Sequence, residues 1–563
     1  MTIESDDSAN AAYVFPLLIK HLWNAPLVRS PLQEIVYRDT HRFTYLELRK
    51  RVGRLANALV SIGVGFGDTV AVMDWDSHRY LECFYAVPMM GAVLQTVNVR
   101  LSPDQILYTL NHAAAETLIV NSDFEDILND IRDRLTSVKR FIWISDEGKQ
   151  APQILEFEGE YEALLAWESA EFEFQDFNEN SRATTFYTTG TTGDPKGVFF
   201  THRQLVLHTI ASMAALCSGA NGQRMHRGDV YMPITPMFHV HAWGIPYIAL
   251  QLGVKQVYPG RYLPDALLGL IERENVTFSH CVPTILQMLL TSPRSAGIDL
   301  SGWKVIIGGS ALPVGLAREA RKRGIDGFGG YGMSETCPIL SIAQLDPGLG
   351  LADEEQELAW RCKAGAPVPL VDLRTVDENM HDVPADGQST GEVVARAPWL
   401  TQGYTGDPAA SEKLWEGGYL HTQDVGYFEN GYLKITDRVK DVIKSGGEWV
   451  SSVQVEDLVS QHESVAEVAV FGIADEKWGE RPLALVVSKA GHEAREPELL
   501  AHLSRFVEQG VISKYALPMR ILIVSAIEKT SVGKLNKKVL RERYAKGVDA
   551  VVSVSTTAGR KAI

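Results

Sequence analysis

The chain has 563 residues, 45% of them hydrophobic and 22% charged, a globular balance that excludes wholesale disorder and a length that calls for at least two domains. Its formal net charge of −16 argues against nucleic acid as the main partner, because binding a phosphate backbone needs an excess of Lys and Arg. Five dispersed cysteines without a Cys-x-x-Cys pair indicate neither a disulfide framework nor a zinc site, and fit a reducing cytoplasm.

The first residues, MTIESDDSANAAYVF, lack the basic and apolar regions of a signal peptide, and no apolar run is long enough for a transmembrane helix. Helical spacing is expected over 45–62 and 77–91, with strands at TVAVMDW (69–75), TLIVNS (117–122) and KVIIGGS (304–310). This alternation predicts an α/β fold with mixed, largely parallel sheets, whose ligands bind at the carboxyl ends of strands. The Gly-rich turn after KVII falls at such an end.

The pattern changes near residue 437. GYLKITD (431–437) reads as a strand, and the segment after it is basic and broken by glycine. A helix over 453–462, strands over 465–472 and 482–488, a helix over 496–509 and a strand over 521–524 then predict a small α+β unit. The expected division is a large N-terminal region of several subdomains over 1–437, a mobile lid over 438–547 and a flexible tail over 548–563.

The chemistry concentrates in a few segments. YTTGTTGDPKG (187–197) packs threonine hydroxyls, glycines and Lys196 into one loop, the donors and charge needed to hold a triphosphate. It is not a Walker A loop, and a surface linker rarely has this composition. GFGGYG (327–332) formally fits Gly-x-Gly-x-x-Gly, but the segment before it is polar and helical rather than a buried strand, so the dinucleotide fingerprint lacks its context. The following MSET sets Glu335 and hydroxyls beside Tyr331, a grouping suited to stacking on a base and ligating Mg²⁺. Asp424 in LHTQDVG and Arg438 in TDR could serve ribose hydroxyls, although alone they read as surface charges. Lys534 in KTSVGK follows a glycine turn, from which it could enter a cleft, but alone it reads as a solvated lysine. His239 and His241 form a His-x-His pair without an apparent third ligand, so packing or a pocket wall is expected rather than a metal.

In this order the segments resemble the superfamily of adenylate-forming enzymes, which includes acyl-CoA synthetases, luciferases and peptide-synthetase adenylation domains. The resemblance runs over nearly the whole chain, and PMFHVHAWGIPY (236–247) with IKSGGEWVSS (443–452) is most similar to the fatty acyl-CoA synthetases. It implies that Thr188 and Glu335 hold Mg²⁺, and that Thr188, Thr189, Gly190, Thr191, Thr192, Gly193 and Lys196 bind ATP. Gly309, Ser310, Gly330, Tyr331, Gly332 and Ser334 contact the adenylate on the same resemblance, with Asp424 on the ribose and Arg438 near it. Lys440 matches the hinge. Lys444 and Trp449 belong to the lid segment that reaches the nucleotide, and Ser445, Gly446 and Gly447 face coenzyme A. Lys534 matches the lysine needed for adenylation. His239, Val240, Trp243 and Gly309 line the acyl site, with Trp243 as a tunnel gate.

The implied activity is an AMP-forming acid–CoA ligase acting on a medium- or long-chain fatty acid, with ATP and CoA as co-substrates, Mg²⁺ as cofactor, a cytoplasmic location and a lean toward a homodimer. A short thioether, branched or aryl acid remains an alternative substrate. An oxygenase of luciferase type, a carrier-loading enzyme and an inactive nucleotide-binding scaffold are the rival functions. The lid motif disfavours the first two, and intact Lys534, Glu335 and Asp424 disfavour the third.

Overall fold

A computed structural model describes residues 14–188, 194–219, 221–445, 448–475, 477–529 and 535–544. Among the described residues the strands form four sheets. In the first, of seven strands, Thr69–Met73, Val93–Thr96 and Ala115–Asn121 run parallel at the centre, and their near-continuous burial explains why they read as unbroken apolar runs. The sheet ends in an antiparallel pair, Arg182–Thr188 and Lys196–Thr201. The second sheet has nine strands with a parallel centre that includes Phe278–Cys281 and Lys304–Ile307. A third, four-stranded antiparallel sheet carries Leu420–Glu429 beside Tyr432–Arg438.

The helices start where local chemistry satisfies their first amides. Thr44 and Glu47 form a capping box for Tyr45–Ser61, and Thr201 and Gln204 form one for His202–Ser218. Each box is worth on the order of 1 kcal/mol. The second also fixes the strand Lys196–Thr201, since its last residue is the cap.

From Ile443 onward the chain builds a smaller α+β body around a five-stranded sheet. Alternate residues of Val465–Asp475 face opposite sides of that sheet. Val468 and Val470 pack with Val455, Leu499 and Leu503, while Ala469 and Phe471 pack with Leu540 and Tyr544. Its helix Ser452–Ser460 meets the larger region at several points, with the Ser452 N–H and hydroxyl donating to Asp437 and with Asp457 reaching a helix there. The Asp457 carboxylate accepts the Val314 N–H at 3.0 Å, at the start of helix Val314–Lys322, whose own N-cap, Pro313, offers no side-chain bond.

The polar segment before GFGGYG is that helix, as expected, but the glycine run after it is itself a strand, Asp326–Gly332. It pairs parallel with Lys304–Ile307 through Gly329, then antiparallel with Ile339–Ile342. The glycines are needed because backbone crosses there. A Cβ on Gly329 would lie 2.2 Å from the Lys363 carbonyl oxygen, and one on Gly332 would lie 1.7 Å from that of Pro338. Close approach, rather than β propensity, makes this strand, which hides it from a reading based on apolar periodicity.

Candidate active site

The site lies where the glycine strand, the antiparallel pair of the first sheet and the third sheet converge. Thr188 and Lys196 are cross-strand partners at the open end of the Arg182–Thr188 and Lys196–Thr201 pair. Thr189, Gly190, Thr191, Thr192 and Gly193 lie outside the described residues. Below Thr188, the Tyr187 hydroxyl is hydrogen-bonded to His112 Nδ1 at 2.8 Å.

Past the glycine strand, Ser334–Thr336 forms a short 3-10 turn that holds Glu335 only 7% exposed. Its backbone carbonyl accepts the Thr401 N–H at 2.9 Å, and its carboxylate Oε1 accepts the Tyr404 O–H at 2.8 Å. The Lys196 ammonium sits 4.5 Å from the centre of the same Tyr404 ring. Lys196 and Glu335, 139 positions apart in the chain, therefore share one aromatic side chain.

Asp424 and Arg438 are also cross-strand partners. The Asp424 carboxylate accepts the Tyr331 O–H at 2.8 Å and pairs with Arg438 Nε at 3.1 Å. Burial, then the Asp424 charge, pushes the Tyr331 phenol well up, so it stays a donor. Asp424 chiefly raises the Arg438 guanidinium, which also feels Asp441, Tyr331 and Glu335, so three carboxylates act on one cation. Burial and then the neighbouring Arg438 lower the Lys440 ammonium, which places that lysine beside the same group of charges.

Next to Tyr331 opens an apolar cleft. His239, Val240, Trp243, Ile306, Gly308, Gly309, Gly330, Gly332, Met333 and Ser334 line it with Pro338, Ile339 and Ile342, and water-sized atoms can enter only about 30 Å³ of it. The Trp243 ring packs over one wall of it, against the backbone of Gly308. A Cβ on Gly308 would lie 2.9 Å from the ring edge, and the ring lies 4.9 Å from that of His280. Gly309 takes φ +77, which lets the chain turn out of the strand Lys304–Ile307 toward exposed Ser310.

The wall segment itself is unusual. Val240, His241, Ala242 and Trp243 have φ of 48, 55, 47 and 58, one left-handed turn of non-glycine residues. Such a conformation costs roughly 1–2 kcal/mol per residue and persists only where the surroundings enforce it. Two of those restraints are visible. The buried Asp76 carboxylate accepts the Met237 N–H at 2.8 Å, and Thr96 Oγ1 donates to the Phe238 carbonyl at 2.9 Å. His241 is packed among the rings of Phe84, Phe186 and Tyr247, and burial pushes its imidazole down to about 3, so it is a neutral packing group.

In the smaller body, the Lys444 N–H donates to Glu480 at 2.9 Å and buried Ser445 pairs with Gly479. Trp449 is the register partner of Lys444. The Trp449 side chain, Gly446, Gly447 and Lys534 lie outside the described residues.

Residues 25–405 match the model of the AMP-binding enzyme family, and residues 454–534 match that of the AMP-binding enzyme C-terminal domain. The chain belongs to the AMP-binding enzyme family. This AMP-binding enzyme is 40% identical over 523 residues to a long-chain-fatty-acid–CoA ligase of Thermus thermophilus, covering 91% of this chain and 93% of the relative. It is 37% identical over 495 residues to a 3-methylmercaptopropionyl-CoA ligase of Ruegeria pomeroyi, covering 87% and 90%. The crystal structure of an anthranilate CoA ligase in complex with anthranoyl-AMP superposes with a TM-score of 0.82 at 23% identity, over 94% of this chain and 98% of that one. The likeness to that structure concerns the fold.

Sequence reasoning named Thr188, Lys196, Glu335, Tyr331, Asp424 and Arg438 for this AMP-binding enzyme, and the fold gathers them around one cleft edge. It missed Tyr404 and Asp76. Both stand in segments without a composition signal, and only the tertiary fold brings them to the site.

Proposed function

We infer that the chain is an AMP-forming acid–CoA ligase that activates an apolar carboxylic acid, of medium or long chain, with ATP and passes the acyl group to CoA. The observation that carries this reading is the joining of the Tyr331–Asp424–Arg438 cluster to an apolar cleft through the glycine strand. Tyr331 belongs to both, so a nucleotide held at Asp424 meets a carboxylate whose tail occupies the cleft. The relatives in Thermus thermophilus and Ruegeria pomeroyi, named as a long-chain-fatty-acid–CoA ligase and a 3-methylmercaptopropionyl-CoA ligase, support the reaction class.

In this reading Lys196 and the loop 189–193 cradle the triphosphate, the Tyr331 ring packs on the base and Asp424 accepts from the ribose, with Gly309, Ser310, Gly330, Gly332 and Ser334 around the adenylate. Glu335 and Thr188 offer hard oxygen donors that fit Mg²⁺, and the two would hold it. The bound ion spreads the charge of the phosphates. Attack of the substrate carboxylate on the α-phosphate forms the mixed anhydride and releases pyrophosphate, and Lys534 offsets the charge that develops. The CoA thiolate then attacks the activated carbonyl and AMP leaves. The larger region, 1–437, supplies the cleft, and the body over 438–547 turns about Lys440 to present Lys534 first and the segment of Lys444, Ser445, Gly446, Gly447 and Trp449 second. The cleft is too narrow for a chain in this state, so Trp243 moves aside as the acid enters. No helix among the described residues is long and apolar enough to cross a membrane. Five free cysteines, four of them buried, fit a cytoplasmic setting.

The test is CoA-dependent AMP release measured over straight-chain acids of graded length, a thioether acid, a branched acid and an aryl acid. The expected outcome is activity with all apolar acids that fit, rising toward the medium and long chains. A preference for the thioether or the aryl acid would overturn the substrate assignment, and no AMP release with any acid would overturn the reaction.

A further inference from the structure

The segment that follows Leu400 touches both halves of the nucleotide site without belonging to either. Thr401 donates its N–H to the Glu335 carbonyl at 2.9 Å and its hydroxyl to the Phe199 carbonyl at 3.0 Å. Thr405 donates its N–H to the Gly197 carbonyl at 2.8 Å, and Tyr404 forms a single antiparallel bridge with Val198. The segment is thus a short extra rung on the strand that begins at Lys196. From that rung the Tyr404 side chain extends to Glu335 Oε1 at 2.8 Å, with its ring 4.5 Å from the Lys196 ammonium. The backbone of Tyr404 is itself pinned, its N–H donating to Ser411 Oγ at 2.8 Å.

A carboxylate that binds a cation through one oxygen has a rotation about its terminal bond to lose. A hydroxyl on the other oxygen removes that freedom in advance, and outer partners of this kind typically tune metal affinity by about 10- to 100-fold. We propose that Tyr404 is a positioning residue for adenylation: its hydroxyl fixes the plane of the Glu335 carboxylate for the cation–triphosphate complex, and its ring sets Lys196 in the same frame. The inference rests on the ligase reading above. It adds that the cation site and the phosphate-binding lysine are held by one side chain, so neither can shift without the other.

The two halves separate by substitution. Tyr404→Phe keeps the ring under Lys196 and removes the hydroxyl, whereas Tyr404→Leu removes both. With Mn²⁺ as a spectroscopic stand-in, binding of the ion to the enzyme–ATP complex followed by electron paramagnetic resonance is expected to weaken about tenfold in Tyr404→Phe. The Mg²⁺ concentration for half-maximal acid-dependent ATP–pyrophosphate exchange should rise by a similar factor, while the KM for the acid stays put and excess Mg²⁺ restores kcat. Tyr404→Leu should also raise the KM for ATP. Because the hydroxyl acts through Glu335, Tyr404→Phe in a Glu335→Gln background should add no further loss. Wild-type Mn²⁺ affinity in Tyr404→Phe, or a loss that adds fully to that of Glu335→Gln, would overturn the inference. Absence of exchange in the wild-type enzyme with every acid would instead overturn the ligase reading.

Discussion

Asp424 offers the sharpest test of where the nucleotide sits. Its residue surface is 6% exposed, and its carboxylate already accepts Tyr331 at 2.8 Å and faces Arg438 Nε at 3.1 Å. A ribose must therefore share an acceptor that is held in place and partly occupied. A hydrogen bond to a charged group contributes about 1.5–3 kcal/mol, and with both oxygens partly used we take one such bond as the net contribution. Asp424→Ala should then lower kcat/KM for ATP by about 10- to 150-fold, at 1.36 kcal/mol per decade. Loss of the Arg438 pairing costs stability about 0–1 kcal/mol and the Tyr331 hydroxyl left without its acceptor about 1–3 kcal/mol, so the variant should fold with a lowered melting temperature. The assay is acid-dependent pyrophosphate release with ATP and with 2′,3′-dideoxy-ATP. The wild-type enzyme should lose on the dideoxy nucleotide the factor that Asp424→Ala loses on ATP, and the variant should not distinguish the two nucleotides. If Asp424→Ala still prefers ATP as strongly as the wild-type enzyme does, the ribose is bound elsewhere and the reasoning fails.

Lys534→Ala should reduce acyl-adenylate formation by about 10²- to 10³-fold and leave thioester formation from supplied acyl-adenylate nearly intact. Unchanged pyrophosphate release would refute that role. Trp243→Ala should widen the cleft and move the chain-length optimum upward, each further methylene that gains room adding about 0.8 kcal/mol, or about fourfold in kcat/KM; an unaltered profile over graded acids would exclude Trp243 as an obstruction. Burial chiefly pushes the Asp76 carboxyl up to about 7, above its range in the unfolded chain near 3.8. The folded chain thus keeps this proton over a pH range in which the unfolded chain has released it. The contribution is fully present below about pH 4 and is lost as pH rises toward 7. The melting temperature of the wild type minus that of Asp76→Asn should therefore fall between pH 5 and 8, and a difference that grows with pH would contradict the assignment.

The legible parts of the chain were those in which chemistry is local. Thr69–Met73 and Ala115–Asn121 carry their burial in their own composition, and Tyr45–Ser61 carries its start in Thr44 and Glu47. Tyr331 and Glu335 were visible because they stand together in one short segment. The strand Asp326–Gly332 was not visible, since its residues were selected by carbonyls of Pro338 and Lys363 rather than by a period of their own. Tyr404 was hidden for a related reason. Its partners come from a strand (Lys196) and from a 3-10 turn far along the chain (Glu335), and nothing in its neighbourhood marks it out. The left-handed turn Val240–Trp243 could not be read from residue types that normally avoid it.

The contact between Val314 and Asp457 has a consequence of its own. The helix that follows the Gly309–Ser310 turn has its first amide satisfied by a side chain from the other body. Any rotation of the smaller body that withdraws Asp457 leaves that amide to water. The Val314 N–H is then a native gauge of lid orientation, slow in hydrogen exchange when the two bodies are docked as here and fast when they part. Five residues upstream, Gly309 lines the apolar cleft, so the gauge and the cleft are mechanically adjacent, and a chain-length series of acids should register at Val314 before any product forms.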